Sequence, residues 1–440
     1  GWEMCIRDSI LSVRASSALP REAAPRLLVV HAGAEDWFVR GALLPALALA
    51  PQEVLATSQL GLGEMALQEL ERGIERAAVT VVLLSHAFVA DVWSGLAGVL
   101  ASHAEREGHG QVVPLVLHDV VSPLRRVAKR SLDLRERAQW PRGFSRLRAL
   151  LGTPEELPRE DLPCPYPGRR PYGAAEARRF FGREREITEL VQRLRAGARE
   201  IVVTGPSCSG KSSLVSAGVL PRLARGVFGM PPMIVRTMRP GIAPALHLAQ
   251  ALGHPLEDPA APLTSLLAAH EPGTRALVFI DQLEELFTSS GGAERARFLS
   301  AVRSLRQDER CTLLWGLRAD LLGELEKSEL WPRDPSAGPA AARWLGEPQV
   351  SRLPVAPLRG ELLRAAILRP AIDAGVVLEP GLLERLLADA VEEGEPGALP
   401  HLQEALVRLW EKRQGRVLPL TEYQARSQGR PRAAVVAAAR

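Results

Sequence analysis

Apolar residues along the chain fall into short unbroken runs separated by amphipathic stretches. Residues 26–34 read as a short buried strand after Pro25, and residues 36–49 carry a helical pattern. Over residues 64–77, Met65, Leu67, Leu70 and Ile74 recur near helical spacing, which predicts an amphipathic helix. Residues 78–85 and 112–117 are continuous apolar runs, the first rich in β-branched side chains, as expected of strands buried on both faces of a parallel sheet. A second series of such runs covers 200–204, 233–237, 275–280 and 311–317, and from 358 to 412 the pattern turns helical with leucine-rich faces. Strands alternating with helices predict α/β architecture twice over. Between the two series, residues 153–175 carry prolines at 154, 158, 163, 165, 167 and 171. That spacing predicts a linker or an extended segment docked on the next domain. No internal repeat of fixed period is visible.

Composition adds limits. The 440 residues are 46% hydrophobic and 24% charged, which suits about three folded domains and excludes a disordered or collagenous chain. Of the 55 basic residues only four are lysines, and there is no asparagine. The arginines are spread through helical patterns beside glutamates, so no specific nucleic-acid footprint is predicted. The four cysteines show no metal-ligand spacing, and reduced thiols in a cytoplasmic protein are expected. The most apolar stretch, residues 77–101, contains His86 and Asp91, so it is read as a strand and helix and no membrane partner is expected. Met4–Ser9 looks like a translated sequencing adapter, and residues 1–25 are set aside as a non-native or disordered leader. Residues 426–440 are expected to be a truncated tail.

The chemistry concentrates at residues 205–212, which read G-x-x-x-x-G-K-S. A strand precedes them and a helix follows, the context in which backbone N–H groups and a helix N-terminus cradle phosphates. Gly205, Ser207, Cys208, Ser209, Gly210, Lys211, Ser212 and Ser213 are the candidate phosphate-binding residues. Lys211 would reach the β/γ oxygens, and Ser212 would offer its hydroxyl to Mg²⁺. The apolar run 276–280 ends in Asp281, the candidate second metal-holding group. A water-activating Glu is expected directly after such an acid, but Gln282 stands there; Glu284 or Glu285 is left to orient water, with Glu284 taken as the catalytic candidate. Arg318 follows the next strand and would sense a γ-phosphate, or else pair with Asp320. Without asparagine there is no N-K-x-D guanine motif, so ATP/ADP is the expected nucleotide.

These motifs, with CPYPGRRPYGAAEARRFFGREREI at 164–187, VFIDQLEELFT, LRADLLGEL and GEPGALPHLQEAL in that order, strongly resemble the bacterial STAND-class P-loop NTPases of the novel STAND type, over about residues 160–425. The resemblance implies a signal-transducing ATPase, inactive with ADP and oligomeric with ATP. It implies that Gly182 and Arg183 lie near adenine and ribose, that Arg318 is the sensor arginine, and that Pro357 and Pro400 close a helical lid over the nucleotide. Where the family usually has leucine after that second proline, this chain has His401.

Residues 26–152 resemble a TIR domain, through VVHAGAEDWFVRGALLPAL, the loop at 61–64, IERAAVTVVLLSHAFVADVW, VVPLVL and Trp140. TIR domains assemble as adaptors or cleave NAD⁺, and the cleaving members resemble one another in a Glu four residues after a tryptophan. Here the tryptophan is Trp93, the fourth residue on is Ala97, and no carboxylate lies between Asp91 and Glu105. Loss of NAD⁺ cleavage is therefore expected. The expected fold is α/β: a flavodoxin-like TIR sandwich at 26–152, the Pro-rich linker at 153–175, a three-layer P-loop NTPase at 176–350 and a helical lid or winged-helix-like region at 351–425. The expected function is an ATP-dependent switch and slow ATP hydrolase, Mg²⁺-dependent, that assembles into a homo-oligomer through its TIR and NTPase domains, in bacterial defence or regulated cell death. An unknown trigger or sensor partner is implied. The alternative is an NAD⁺-cleaving effector gated by the NTPase.

Overall fold

The computed structural model describes residues 25–60, 64–91, 110–120, 131–154, 161–253, 261–330, 350–393 and 398–426, with isolated positions 101, 105 and 108. The chain divides into two compact units, one up to Asp161 with Gln414–Val417, the other comprising Leu162–Arg413 and the residues from Leu418 onward.

In the first unit five strands, β1 (Leu27–Val30), β2 (Val54–Ala56), β3 (Val79–Leu84), β4 (Gln111–Val116) and β5 (Leu132–Asp133), form a parallel sheet in the order β2-β1-β3-β4-β5. Every side chain of β1 and β3 is buried, which explains their unbroken apolar runs. Helix α1 (Glu64–Arg76) lays Leu70 and Ile74 on one face of the sheet, against Leu28, Val30, Val82 and Leu84; the side chains of Met65 and Leu67 lie outside the described ones. Helix α2 (Trp140–Leu151) contributes an aromatic cluster in which Trp140 and Phe38 meet edge to face at 4.9 Å. Its indole N–H donates to the Leu134 carbonyl (2.8 Å). Gly152, at φ 61°, ends α2 in the left-handed conformation that glycine adopts without steric cost. The expected helix at 36–49 is instead a series of short mixed helical turns from Asp36 to Ala46. The two short outer strands β2 and β5 were too brief to show a period.

The second unit also has a five-stranded parallel sheet, ordered β10-β6-β9-β8-β7: β6 (Glu200–Gly205), β7 (Met233–Met238), β8 (Arg275–Ile280), β9 (Cys311–Arg318) and β10 (Val350–Pro354). Helix α3 (Glu184–Arg195) and the helix after the glycine loop, α4, cover one face through Ile187, Leu190, Leu214 and Val219. α4 runs through Lys211–Ser213, a π-helical stretch at Leu214–Val219 and Leu220–Ala224. Helices α5 (Pro244–Leu252) and α6 (Gly292–Gln307) cover the other face through Leu248, Phe298, Val302 and Leu305. Three layers result, as expected. At the start of β6 the buried Glu200 receives a fork from Arg306 (2.6–3.2 Å) and the Trp315 indole N–H (2.9 Å). β10 belongs to this sheet, so the expected division at 350/351 runs through its first residues.

The helical region comprises α7 (Gly360–Asp373), α8 (Leu382–Glu393) and α9 (Ala398–Glu411) around a core of Ile367, Leu386, Leu402, Leu406 and Trp410. Much of the proline-rich stretch packs with this unit. The Trp410 indole donates to the Leu162 carbonyl (3.1 Å), the buried Tyr166 hydroxyl donates to the Ile367 carbonyl (2.7 Å), and the Tyr172 amide donates to Ser213 Oγ (3.1 Å). No helix among the described residues is long and apolar enough to cross a membrane.

Candidate nucleotide-binding site

The carboxyl end of β6 opens into the glycine loop, and a cleft lies above it. A Cβ on Gly205 would sit 2.4 Å from the Val355 carbonyl oxygen and 2.7 Å from Ser209 Oγ, so only glycine fits there. Gly210, at φ 92°, turns the loop into α4. Cys208 takes φ 60° without being glycine, a conformation that costs roughly 1–2 kcal/mol. Lys211 is buried, and its Nζ donates to the carbonyls of Gly205 (3.0 Å) and Pro206 (2.8 Å). Burial holds the ammonium below the ordinary lysine range; the charges of Glu284 and then Asp281 oppose that shift. Ser209 Oγ is buried and has no partner among the described residues, an orphaned polar atom inside the loop.

Asp281, at the end of β8, is buried beside Ser212, whose Oγ donates to Asp281 Oδ1 (2.9 Å). The Gln282 amide donates to the same oxygen (3.1 Å). Gly316 on the neighbouring strand β9 makes room for this carboxylate, because a Cβ there would lie 2.9 Å from Asp281 Oδ1. Gln282 itself takes φ 55°. This turn brings Glu284 to the cleft wall, whereas Glu285 Oε2 accepts the Gly241 amide (2.9 Å) and lines no part of the cleft. The two glutamates are thus separated by geometry. Arg318, level with Gly205 in the sheet, lines the cleft but is forked onto Asp320 (3.1 and 2.7 Å), which raises the arginine pKa and lowers that of the aspartate.

Of the residues assigned by resemblance, Arg183 lines the cleft and is almost wholly buried. Its guanidinium binds Glu186 (2.5 Å), the Ser209 carbonyl (2.8 Å) and the Ala356 carbonyl (2.6 Å), so it braces the glycine loop against the segment leading to α7. Gly182, at φ 86°, is off the cleft lining, and its role in the structure is close backbone approach: a Cβ would meet the Leu362 carbonyl oxygen at 2.4 Å. Pro400 lines the cleft with Leu399 and Gln403 of α9. Pro357 is exposed and off the lining, where Leu358 stands instead; His401 is also off it. Tyr172, Phe180 and Phe181 supply aromatic wall that the sequence reading did not single out. Arg239, after β7, was also missed: it lines the cleft, and its Nη2 lies 3.4 Å from Asp281 Oδ2. Its only signal in the sequence is its place after a strand.

In the first unit, Trp93 and Ala97 lie outside the described residues. Of the two flanking carboxylates, Glu105 accepts the Val112 amide (3.0 Å) at the amino end of β4. Asp91 follows the short helix that begins after Ser85, beyond the carboxyl end of β3. At the carboxyl edge, Ser85 Oγ donates to the buried Glu35 (2.5 Å) and caps the next helix by accepting the Phe88 amide (2.9 Å).

A glycine loop leaving an interior strand of a parallel sheet, with the acid Asp281 after the next strand but one, defines a P-loop NTPase. The chain belongs to the Novel STAND NTPase 1 family, which matches residues 165–440, and a TIR domain matches residues 28–148. It therefore joins a TIR domain to a STAND NTPase, the architecture of an NTPase-gated TIR signalling protein. No curated protein matches the chain. Among solved structures, the AAA domain of FIGL-1 is 14% identical, covering 54% of this chain and 75% of that one, with a TM-score of 0.29. A putative phosphosugar isomerase from Salmonella typhimurium is 16% identical, covering 74% and 84%, with a TM-score of 0.19.

Proposed function

We propose that the second unit is a slow, Mg²⁺-dependent ATPase that works as a switch, and that the ATP-bound chain assembles its TIR domains into a signalling homo-oligomer. The observation that carries this reading is the convergence of Lys211, Ser212, Asp281 and Glu284 on one cleft whose far wall is the helical region. Ser212 Oγ and Asp281 Oδ1 are hard oxygen donors 2.9 Å apart, a donor pair that suits Mg²⁺. Bound Mg²⁺ supplies neutralisation of phosphate charge. Lys211 gives up its contacts to the loop carbonyls to meet phosphate oxygens, and the orphaned Ser209 hydroxyl gains a partner. Glu284 orients the attacking water, and its displacement from the position directly after Asp281 makes turnover slow. A thousandfold loss of rate corresponds to about 4 kcal/mol in the barrier.

Switching requires a ligand that contacts two states unequally. Pro400 and Gln403 form part of the cleft wall, so the nucleotide and the helical region share a surface. The ADP form keeps that wall closed and ATP favours its opening. A cytoplasmic setting in bacterial defence or regulated cell death suits the joined domains, and Cys164, Cys208 and Cys311 are all free thiols. With Ala97 in place of a carboxylate, the TIR domain acts by self-association rather than by cleaving NAD⁺. Size-exclusion chromatography with ATP against ADP tests the switch. A larger species with ATP, absent in Lys211→Ala, is expected; identical elution in both nucleotides overturns the reading.

A further inference from the structure

The cleft holds a cation that the proposed switch does not yet use. Sheet register fixes its place: Met238 of β7 pairs with Ile280 of β8, and the Asp281 amide donates to the Met238 carbonyl (2.9 Å), so Arg239 emerges directly beside Asp281. Its backbone is anchored. His247 Nδ1 lies within hydrogen-bond distance of the carbonyls of Arg239 (3.1 Å) and Pro240 (3.0 Å), and the Gly241 amide is held by Glu285 Oε2 (2.9 Å). The side chain, by contrast, is half exposed and among the described residues makes one long polar contact, 3.4 Å to Asp281 Oδ2. A charge-assisted hydrogen bond at full strength is about 2.7–2.9 Å long. Arg239 is thus rooted at its base and loosely held at its tip.

We infer that Arg239 is the residue that tells ATP from ADP: it rests on Asp281 when no γ-phosphate is present and donates to the γ-phosphate when one is. Asp281 cannot serve a divalent cation and the guanidinium together without setting like charges side by side. Arg239 therefore leaves Asp281 when the metal site fills, and it already lines the cleft in which a new anion would lie. A guanidinium on a flexible stem gains most from an oxygen-rich anion, because its donors form a planar fork. Arg318 is placed differently. Its fork is engaged by Asp320, two residues along the same chain, and not by Asp281. This inference rests on the cleft being the nucleotide site, and it adds a discriminating residue to it.

The test is titration of the full chain with fluorescent ATP and ADP analogues in Mg²⁺, for the parent, Arg239→Ala, Arg239→Gln and Lys211→Ala. Arg239→Gln keeps part of the aliphatic stem and a polar end, and removes the charge and the reach of the guanidinium. Both Arg239 variants are expected to lose ATP-analogue affinity by about 10- to 100-fold, as for a lost hydrogen bond to a charged group, with ADP-analogue affinity changed less than about threefold. Lys211→Ala is expected to lose both ligands. Equal losses for ATP and ADP in the Arg239 variants, no loss in either, or retained ATP preference in Arg239→Gln each overturn the inference while leaving the site intact. Undiminished binding in Lys211→Ala overturns the site reading itself, and this inference with it.

Discussion

At the scale of single residues, the cleft departs from ordinary backbone and packing rules where its polar groups converge. Two of the three described non-glycine residues with positive φ, Cys208 and Gln282, line it. The sequence marked Gln282 as standing in place of a glutamate but gave no sign of its backbone turn, because glutamine has no special preference for that conformation. Its turn nevertheless decides which of two adjacent glutamates reaches the cleft. Gly316 is equally silent; it reads as a glycine that weakens a strand, yet a side chain there would press on Asp281. Gly316→Ala is expected to weaken Mg²⁺-dependent nucleotide binding about tenfold or more while the melting temperature falls by only a few degrees. Binding in Mg²⁺ against binding in EDTA checks this, and an unchanged Mg²⁺ dependence would mean that the carboxylate has room to move. The glycine loop, Lys211, Ser212 and Asp281 were legible because their spacing is local. Arg239 was not, because only the pairing of β7 with β8, strands about forty residues apart in sequence, places it beside Asp281.

At the scale of elements, burial on both faces made β1, β3, β6, β8 and β9 visible as apolar runs, and the helices between them fell where periodicity placed them. What stayed hidden was short or at an edge: β2, β5 and β10, the last closing on Pro354, a residue tolerated at a sheet edge because it needs no ladder donor. Charge placement within the elements was also illegible, since partners meet across the sheet. Glu200 is the clearest case. It starts β6 with its carboxylate buried, held by Arg306 from α6 and Trp315 from β9. Removing the cation leaves a buried charge with the indole as its remaining side-chain donor. Arg306→Met is expected to destabilise the second unit by about 2–4 kcal/mol. Arg306→Met with Glu200→Gln is expected to recover much of that loss, so chemical denaturation of the pair of variants measures the coupling. Equal stability of Arg306→Met and the parent would show that the pair contributes nothing.

At the scale of the whole molecule, the first unit carries a buried group that ties its stability to acid. His31 is buried after β1, and burial lowers its pKa below the ordinary value. A base whose folded pKa is lowered binds more protons unfolded than folded, so its contribution is complete above about pH 6.5 and is lost as pH falls through that value. Amides of β1 in the full chain are expected to exchange faster, relative to intrinsic rates, at pH 5.5 than at pH 7.5, and His31→Gln is expected to flatten that difference. An unchanged pH response in His31→Gln would assign it to other groups. The proline-rich stretch, readable as a linker or as a docked segment, is held from Leu162 onward by Trp410, Ile367 and Ser213. Ser213 stands next to Ser212, in the first turn of α4 directly after the glycine loop. The hold on Leu162–Tyr172 therefore sets the length of a leash. Each residue let go adds about 3.3–3.6 Å of reach, so releasing this stretch lengthens the tether by on the order of 35 Å. Tether length governs the effective concentration at which linked parts find their partners, and because Trp410 and Ile367 grip the segment ahead of Ser213, that length is released from Leu162 inward with the Tyr172–Ser213 bond as the last hold.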